Sequence, residues 1–292
     1  MKILITGASG MLGSEITNLL EQQKDQLGIT TILKQRQQVA KGFISLNLAD
    51  KQAIKQLADY EWEVIIHTAA NRDPDSCATD SEAAQQINVN ATAWLAGEAR
   101  RRNAYMLYIS TDYVFPGTNP PYSENDPTEP INNYGITKLL GEQAVLAASA
   151  QNCSLRVPFL YGIQAGIEQA PMLAGSIKAL QNPAQQQIDD IGIRYPTYTG
   201  DVARAVVLLL DKNASGIYHC SGEDKTTKYR IAKAIGKILG LPHNHLQPQI
   251  NPSPSIAPRP HDSHLSTSRL KELGWEQPLP LLKRLEELLS NS

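Results

Sequence analysis

The sequence has 292 residues, of which 41% are hydrophobic and 19% charged, so the chain is long enough for a large buried core and has a globular composition. With 27 basic and 29 acidic residues, a net charge of −2 and no long basic run, it offers no electrostatic reason to bind nucleic acid or an anionic membrane. Three scattered cysteines, no zinc-ligand spacing, no predicted signal peptide and no apolar run of bilayer length lead us to expect a cytoplasmic protein with a small-molecule partner, no disulfides and no metal site.

The first predicted element is a strand over Lys2 to Thr6, with the apolar character of a strand buried on both faces. Three glycines follow with the spacing G-x-x-G-x-x-G, and a helix then extends to Leu20. Such glycines permit a tight turn and the approach of a phosphate to backbone N–H groups at a helix N-terminus. The segment is predicted to bind a dinucleotide, the alternative being a glycine turn without ligand; the predicted contacts are Gly7, Ser9, Gly10, Met11 and Leu12.

A second strand is predicted near Thr30 to Leu33, and it ends where an NAD-binding protein usually carries an acid for the ribose 2′-hydroxyl. No acid lies between Asp25 and Asp50, whereas Lys34 and Arg36 lie in this region. Either cation can bind a 2′-phosphate, so the sequence favours NADP, with NADPH preferred over NADH. The alternative is that both are solvated surface charges.

The next elements are a short strand over Gly42 to Leu46, a helix near Lys51 to Tyr60 and a buried strand over Val64 to His67. His67 is predicted to be a packed strand-end residue rather than a catalytic base. After the first of these strands, Asn47 and Leu48 are candidates to bind the adenine edge of the cofactor. After the second, the backbone of Thr68, Ala69 and Ala70 is a candidate for contact with the cofactor.

A polar loop over Asn71 to Asp75 is expected at the carboxyl edge of the sheet, where ligands bind in such folds. The long helix that follows, roughly Ser81 to Arg102, contains Asn88. Asparagine is a poor residue for the middle of a helix unless its amide has a partner, so Asn88 is predicted to support the site's water or backbone network.

The fifth predicted strand, Tyr105 to Ile109, leads directly into Ser110, Thr111 and Asp112. A hydroxyl at the end of this strand can hydrogen-bond a substrate carbonyl, and Thr111 is the preferred candidate over Ser110. Local capping of the strand end is the alternative for Thr111.

Tyr134 and Lys138 are four residues apart in a helix predicted to reach about Ala150, so both side chains can face one cleft. A lysine charge about 5 Å away favours the phenolate and is expected to lower the tyrosine pKa from about 10 by roughly two units. Tyr134 is therefore the predicted acid, and a solvated helix face is the alternative.

The rest of the chain has a looser pattern, without an internal repeat. The predicted elements are a strand over Ser154 to Val157, a helix over Met172 to Leu180 followed by a glutamine-rich stretch, a helix over Asp201 to Leu210, a strand over Ile217 to His219, a helix near Lys228 to Leu239, a proline-rich loop over Pro248 to Pro260, and two short terminal helices.

Several of these segments together resemble the extended short-chain dehydrogenase/reductases, and the resemblance covers nearly the whole chain. Within that family the dTDP-4-dehydrorhamnose reductase group is most similar, on Ser110 to Phe115, Tyr134 to Glu142 and Arg259 to Leu265. Other segments are similar to the regulatory beta subunit of methionine adenosyltransferase: Ala69 to Arg72, Phe115 to Tyr122 and Lys225 to Tyr229.

The resemblance implies an α/β fold, a Rossmann-like doubly wound parallel sheet that binds NADP, with a smaller C-terminal substrate-binding lobe. It places residues 1–160 in the NADP-binding domain, with 195–219 returning to it, and 161–194 and 220–292 in the lobe. The implied cofactor contacts add Asn88, Ser110, Tyr134 and Lys138, and the implied substrate contacts are Arg72, Thr111, Asp112, Tyr161, Arg194 and Arg259.

The implied activity is NADPH-dependent reduction of a 4-keto-6-deoxy nucleotide sugar, with Thr111, Tyr134 and Lys138 as the catalytic residues. Two alternatives stay open. One is a cofactor-binding regulatory subunit that docks on a methionine adenosyltransferase catalytic subunit, and the other is a reductase or epimerase of another nucleotide sugar. Whether the chain forms a homodimer is left open.

Overall fold

The computed structural model is built around parallel β-structure, and it describes residues 1–36, 42–163, 166–167, 170–251 and 256–290. These residues form eleven strands: β1 (Lys2–Thr6), β2 (Thr31–Arg36), β3 (Ile44–Ser45), β4 (Val64–His67), β5 (Tyr105–Thr111), β6 (Cys153–Val157), β7 (Leu160–Tyr161), β8 (Gln186–Asp189), β9 (Thr197–Tyr198), β10 (Gly216–His219) and β11 (Leu246–Gln249).

Seven of the strands form one parallel sheet in the order β3-β2-β1-β4-β5-β6-β10. At its centre β1 pairs with β2 on one side and β4 on the other, so that Leu4 lies opposite both Leu33 and Ile65. The strand order therefore reverses between β1 and β4. In open parallel sheets, ligands bind beyond the carboxyl ends of the strands at such a reversal.

The described helices are α1 (Met11–Gln22), α2 (Lys51–Lys55), α3 (Pro74–Thr79), α4 (Ser81–Gln85), α5 (Thr92–Arg101), α6 (Asn133–Ala148), α7 (Pro171–Gln181), α8 (Thr199–Asp211), α9 (Lys228–Ile238), α10 (Ser268–Glu272) and α11 (Leu281–Ser290). Two irregular segments matter for the site. A π-helical segment over Gln86–Ala91 joins α4 to α5, and a 3-10 turn over Asp112–Val114 follows β5.

Apolar side chains cover both faces of the large sheet, which explains why its central strands β1 and β4 are mostly hydrophobic. On one face α1 and α8 pack against it, with Ile16 and Val206 fully buried in a shared core. On the other face the core includes Leu95 of α5 and Val145 of α6. The result is a three-layer α/β sandwich, the Rossmann-like fold class that the sequence predicted.

A third core lies outside this sandwich and is formed largely by α7, α9 and α11, which pack beside two small parallel sheets, β7-β9 and β8-β11. Leu285 of α11 and Ile235 of α9 are fully buried there. Late segments also return to the large sheet, because β10 pairs with β6 and Leu270 of α10 belongs to the core shared with α1. The exact division of the chain into two lobes stays a prediction.

Most predicted elements agree with the structure to within a few residues, and the differences are local. The polar loop predicted over Asn71 to Asp75 gives way to α3 at Pro74, because the Asp73 side chain accepts from Ser76 N and caps the helix. The glutamine-rich stretch contains β8, which pairs with β11. No helix among the described residues is long and apolar enough to cross a bilayer.

Candidate active site

The glycine segment forms a tight loop between β1 and α1 at the carboxyl edge of the sheet. Gly7 has φ +67°, a left-handed conformation that favours glycine, and a Cβ there would lie 2.8 Å from Ala69 N. A Cβ on Gly13 would lie 2.2 Å from the Gly7 carbonyl oxygen. The glycines therefore let the loop pack against the end of β4 and let α1 begin directly beneath the loop.

Met11 and Leu12, both predicted cofactor contacts, are buried in apolar cores at 6% and 7% exposure. Leu12 packs in the core beneath the large sheet, and Met11 packs in the core formed with α7, α9 and α11. Their side chains face away from solvent, so contact with a phosphate would come through backbone N–H groups at the start of α1. Ser9 and Gly10 lie at the partly open rim of the loop.

Gln35, which the sequence argument overlooked, ties the glycine loop to β2. Its side chain is buried; Oε1 accepts from Gly7 N at 3.1 Å and Nε2 donates to Leu46 O at 2.7 Å. Both ends of the amide are used within the protein. In the sequence Gln35 is one polar residue between Lys34 and Arg36, and nothing there reveals its partners.

At the adjacent edge, Lys34 Nζ lies 5.8 Å from the centre of the Phe43 ring. The Arg36 backbone pairs with Ser45, and the Arg36 side chain lies outside the described part of the chain. Asn47 is exposed, whereas Leu48 is 6% exposed and packs in the core with α5. An adenine contact is therefore available to the Asn47 side chain but not to that of Leu48.

Asn88 lies in the π-helical segment and connects three parts of the site. It is 1% exposed; its Oδ1 accepts from Asn71 N at 2.8 Å, and its Nδ2 donates to Asn71 O at 2.9 Å and to Thr137 Oγ1 at 3.0 Å. This arrangement joins the segment after β4 to α6. The structure thus gives the Asn88 amide the partners that its mid-helix position required, and direct contact with the cofactor stays a prediction.

Thr68, Ala69 and Ala70 follow β4 and are partly exposed beside the glycine loop. The Thr68 hydroxyl donates to Thr6 O at 2.7 Å, which fixes the start of this segment. His67 is buried at 1% exposure, and its ring nitrogens lie 2.6 Å from Thr6 Oγ1 and 3.0 Å from Thr92 Oγ1. His67 is a packed residue, as the sequence predicted.

The end of β5 presents three buried polar side chains in succession. Ser110 is 2% exposed and its hydroxyl oxygen has no hydrogen-bond partner within the described chain. The Thr111 hydroxyl donates to Asp112 Oδ1 at 3.1 Å and accepts from Tyr113 N at 3.2 Å, so it also caps the turn. Burial raises the pKa of Asp112 to about 6, although the Ser263 hydroxyl and the Arg194 charge lower it.

Tyr134 and Lys138 lie on α6, whose N-terminus is capped by Asn132 Oδ1 accepting from Gly135 N at 2.9 Å. Lys138 is 3% exposed; its Nζ donates to Ile109 O at 2.6 Å and lies 4.0 Å from the centre of the Tyr108 ring. Burial lowers the pKa of Lys138 to about 7, and the Glu142 charge partly opposes the shift. Because its pKa lies near neutral pH, a small change in the surroundings of Lys138 changes its protonation.

The expectation that the Tyr134 pKa is lowered was wrong. Although Tyr134 keeps part of its surface at the cleft, removal from water raises its pKa well above the usual range. A side-chain hydrogen bond with Thr111 opposes this shift, and the Asp112 charge adds to it. The lysine is engaged with the β5 backbone instead, a partner that spacing along a helix could not reveal.

The predicted substrate residues fall into different environments. Arg72 is exposed at the carboxyl edge, and Arg194 is buried with Nη1 donating to Ile193 O at 2.7 Å. Tyr161 is 2% exposed in the core with α7, so its side chain is not presented to the cleft. Arg259 forms a bidentate pair with Asp75, at 2.6 and 2.8 Å, and lowers the pKa of that carboxyl to about 2. Arg259 is thus engaged within the protein.

One late segment, Ala257 to Ser266, crosses the site, and we call it the strap. Arg259 of the strap pairs with Asp75, as described above. The carbonyl oxygen of Pro258 accepts a hydrogen bond from Asn132 Nδ2 at 2.8 Å, and the Ser263 hydroxyl donates one to Asp112. Its backbone also pairs with that of Tyr122. The strap therefore contacts α3, the cap of α6 and the end of β5.

The donor set fits a dinucleotide cofactor. The glycine loop is too close to Ala69 for a side chain at Gly7, the start of α1 presents backbone donors, and the unpaired Ser110 hydroxyl lies at the same edge of the sheet. Groups of three or more His, Cys, Asp or Glu side chains that could hold a metal ion do not occur among the described residues.

Comparison with known proteins gives consistent matches over the whole chain. A family model described as RmlD substrate binding domain matches residues 1–292. The methionine adenosyltransferase 2 subunit beta of Mus musculus is 38% identical over 295 residues, which is 99% of this chain and 87% of that protein.

Among solved structures, a dTDP-4-dehydrorhamnose reductase from Clostridium acetobutylicum has a TM-score of 0.88 and 28% identity, and the match covers 100% of this chain and 99% of that one. A dTDP-4-dehydrorhamnose reductase from Bacillus anthracis, solved in complex with NADP, has a TM-score of 0.86 and 25% identity, with 100% of both chains covered.

Proposed function

The chain belongs to the RmlD substrate-binding domain family, and from that membership we propose that it is an NADP(H)-dependent oxidoreductase that reduces a 4-keto-6-deoxy nucleotide sugar. The reductase neighbours, one of them holding NADP, support this class of reaction. The specific substrate proposed is the 4-keto precursor of dTDP-L-rhamnose.

The observation that carries the proposal is the joint placement of Thr111, Tyr134 and Lys138 at the carboxyl edge of the large sheet. Thr111 ends β5 and lowers the Tyr134 pKa against the effect of burial, while Lys138 is buried beside β5 one helical turn from Tyr134. A protonated phenol at a cleft next to a dinucleotide-type loop suits proton delivery to a carbonyl oxygen.

In the proposed reaction NADPH supplies the hydride to C4 of the sugar. Tyr134 gives its proton to the C4 oxygen, and its raised pKa keeps that proton in place until the oxygen becomes basic. Thr111 orients the reacting group together with Tyr134. Lys138 holds the nicotinamide ribose and stabilises the phenolate left after the transfer, since a buried ammonium interacts strongly with a nearby anion.

The cofactor site in this proposal follows the edge of the sheet. Backbone N–H groups at the start of α1 bind the pyrophosphate, Ser110 and the segment after β4 line the nicotinamide half, and Lys34 with Arg36 meets the 2′-phosphate. Arg72 and Arg194 are the arginines proposed for the substrate diphosphate. Arg259 joins them only if the substrate displaces Asp75 from its guanidinium.

The test is the loss of NADPH absorbance in the presence of the dTDP-4-keto-6-deoxy sugar, generated in place by the enzymes that precede it. Tyr134→Phe should reduce turnover by about a hundredfold or more, the range associated with general acid catalysis, while NADPH binding measured by fluorescence stays near the wild-type value. Full activity in Tyr134→Phe would exclude Tyr134 as the acid. A wild-type protein that binds NADPH but does not reduce the sugar would exclude this substrate.

A second function is favoured by the sequence relatives. The mouse methionine adenosyltransferase 2 subunit beta is more similar in sequence, at 38%, than the reductases, at 28% and 25%. In this alternative the chain keeps its cofactor site and docks on a catalytic subunit as a regulator. Stoichiometric co-purification with a methionine adenosyltransferase catalytic subunit, combined with no keto-sugar turnover, would favour the regulator; turnover without such binding would favour the reductase.

A further inference from the structure

Arg259 of the strap has its guanidinium paired with a carboxylate from a distant part of the chain. Its Nη1 and Nη2 donate to Asp75 Oδ1 and Oδ2 at 2.6 and 2.8 Å. The backbone N–H of Ala257 also donates to Asp75 Oδ1, at 2.9 Å. All three donors belong to the strap, whereas Asp75 lies on α3, 184 positions from Arg259. The Asp75 carboxylate therefore occupies an anion site that the strap provides.

The same set of donors is suited to a phosphate group. A guanidinium presents two parallel N–H groups whose geometry fits phosphate oxygens as well as a carboxylate, and backbone N–H groups are recurrent donors to bound anions. Arg259 Nη1 also donates to Ala257 O at 2.5 Å, which holds the guanidinium beside the Ala257 backbone. The strap thus arranges these donors through its own contacts, and a ligand phosphate can use them in place of Asp75.

The pair between Arg259 and Asp75 is accessible, unlike the ion pair of Arg156 with Glu142 in the core. The Arg259 and Asp75 side chains are 24% and 37% exposed, whereas those of Arg156 and Glu142 are both 2% exposed. Because solvent screens a partly exposed pair, its contribution is modest, and exchanging a partner does not leave an unpaired charge in a dry core. A ligand in the cleft can therefore reach the guanidinium and compete with Asp75.

The strap has other contacts that fix its position. Asn132 Nδ2 donates to Pro258 O at 2.8 Å, and Ile193 N donates to His261 O at 2.9 Å. These two contacts lie on either side of Arg259 in the sequence. Loss of the pair with α3 therefore leaves the segment anchored on both sides of the guanidinium, and the anion site stays formed.

We propose that Asp75 is an internal competitor for the anion site of the strap: it occupies the donors of Arg259 and Ala257, and the diphosphate of the ligand displaces it on binding. The inference rests on the proposed nucleotide-sugar function, and it names the exchange that brings Arg259 into contact with the substrate. Asp75 then lowers the affinity for a nucleoside diphosphate, because the ligand takes the guanidinium only after the existing pair has opened. Its effect is on ligand binding and not on proton or hydride transfer.

The test measures binding of dTDP to the full-length protein by isothermal titration calorimetry, with NADPH present. Asp75→Asn removes the charge and one of the two acceptors for Arg259, so dTDP should bind about three- to tenfold more tightly than to the wild type. Asp73→Asn is the matched control, because it removes a charge from the start of α3 while its amide oxygen can still accept from Ser76 N. Its effect on dTDP affinity should be less than about twofold.

A second comparison uses Arg259→Ala as the starting protein, and NADPH fluorescence checks that each variant is folded. In Arg259→Ala dTDP should bind less tightly than to the wild type, and adding Asp75→Asn should give no gain, because the site for which the carboxylate competes is lost. Unchanged dTDP affinity in Asp75→Asn, an equal gain in Asp73→Asn or in the Arg259→Ala protein, or no dTDP binding at all would overturn the proposal.

Reduction of the keto sugar is measured separately, so that the two proposals can fail independently. Wild-type turnover without tighter dTDP binding in Asp75→Asn would exclude the competitor role and leave the reductase function standing. Tighter dTDP binding in Asp75→Asn without wild-type turnover would support the competitor role and exclude the reductase function.

Discussion

At the residue scale, the proposed preference for NADPH depends on two cations at the end of β2, Lys34 and Arg36. Replacing both, Lys34→Ala with Arg36→Ala, should weaken NADPH binding about 10- to 100-fold, since hydrogen bonds to a charged phosphate contribute about 1.5–3 kcal/mol. NADH lacks the 2′-phosphate and is the internal control. Dissociation constants measured for both cofactors check the prediction. Equal losses of affinity for NADPH and NADH would show that the two cations do not bind the 2′-phosphate.

The sequence predicted which side chains lie at one edge of the sheet, but it did not reveal their partners. Glycine spacing and the Tyr134–Lys138 pair pointed to the correct sheet edge because the backbone constraints they reflect are local. The partners lie 11 to 29 positions away in the chain: Gln35 contacts Gly7 and Leu46, and Lys138 contacts Ile109. The burial of Tyr134 likewise depends on the folded chain. It raises the Tyr134 pKa, whereas the sequence predicted a lowered pKa.

At the scale of single elements, the π-helical segment is the most informative irregularity. A π-helical turn inserts an extra residue and is frequent at functional sites. Here it lies in the helix that carries Asn88, and the Asn88 amide joins the segment after β4 to α6. The sequence predicted one continuous helix with an unusual asparagine, but hydrophobic periodicity gave no sign of the π-helical geometry.

Asn88→Ala should lower the free energy of unfolding by about 1–3 kcal/mol, because it removes a buried amide that pairs with the partly buried N–H and C=O groups of Asn71. Asn90→Ala is the matched control in the same segment. Asn90 is less buried, and among the described residues its amide hydrogen-bonds to Gln86 on the neighbouring turn, so its loss should cost less than about 0.5 kcal/mol. Urea denaturation of the two variants measures the difference, and similar losses would contradict a special role for Asn88.

At the scale of the whole molecule, two buried histidines make stability sensitive to acid. Burial lowers the pKa of His67 and of His219 to about 3, whereas an unfolded histidine titrates near 6.5. Between these values the unfolded chain binds more protons than the folded chain, so stability falls as the pH is lowered. Asp112 acts in the opposite direction below about pH 6, because its pKa is raised in the folded state.

His219→Gln should therefore make the fall in stability between about pH 6 and pH 4 shallower, by about 1.4 kcal/mol per pH unit, which corresponds to one proton. The amide oxygen of glutamine can still accept from Arg156, which lies 3.3 Å from His219 Nε2. His261→Gln, at an exposed site, is the control. Unfolding free energies measured in urea across this range give the slopes, and a wild-type slope in His219→Gln would exclude His219 as a source of acid sensitivity.

The large-scale arrangement was predictable where it follows from alternation of strands and helices, and less so where it depends on the end of the chain. The order of buried strands from β1 to β6 gave the Rossmann-like sheet. The strap, in contrast, reads in the sequence as a proline-rich loop and its continuation, and nothing local indicates that Ser263 reaches Asp112 across 151 positions or that Arg259 reaches Asp75 across 184.

The late position of the strap has a consequence for synthesis on the ribosome. The glycine loop, the end of β5 and the start of α6 are translated long before residues 257–266, yet Asp112, Asn132 and Asp75 each take a partner from that segment. A nascent chain can thus assemble its early strands while the substrate side of the cleft stays unfinished. The contacts of the strap are then added after the glycine loop and the end of β5 have been made.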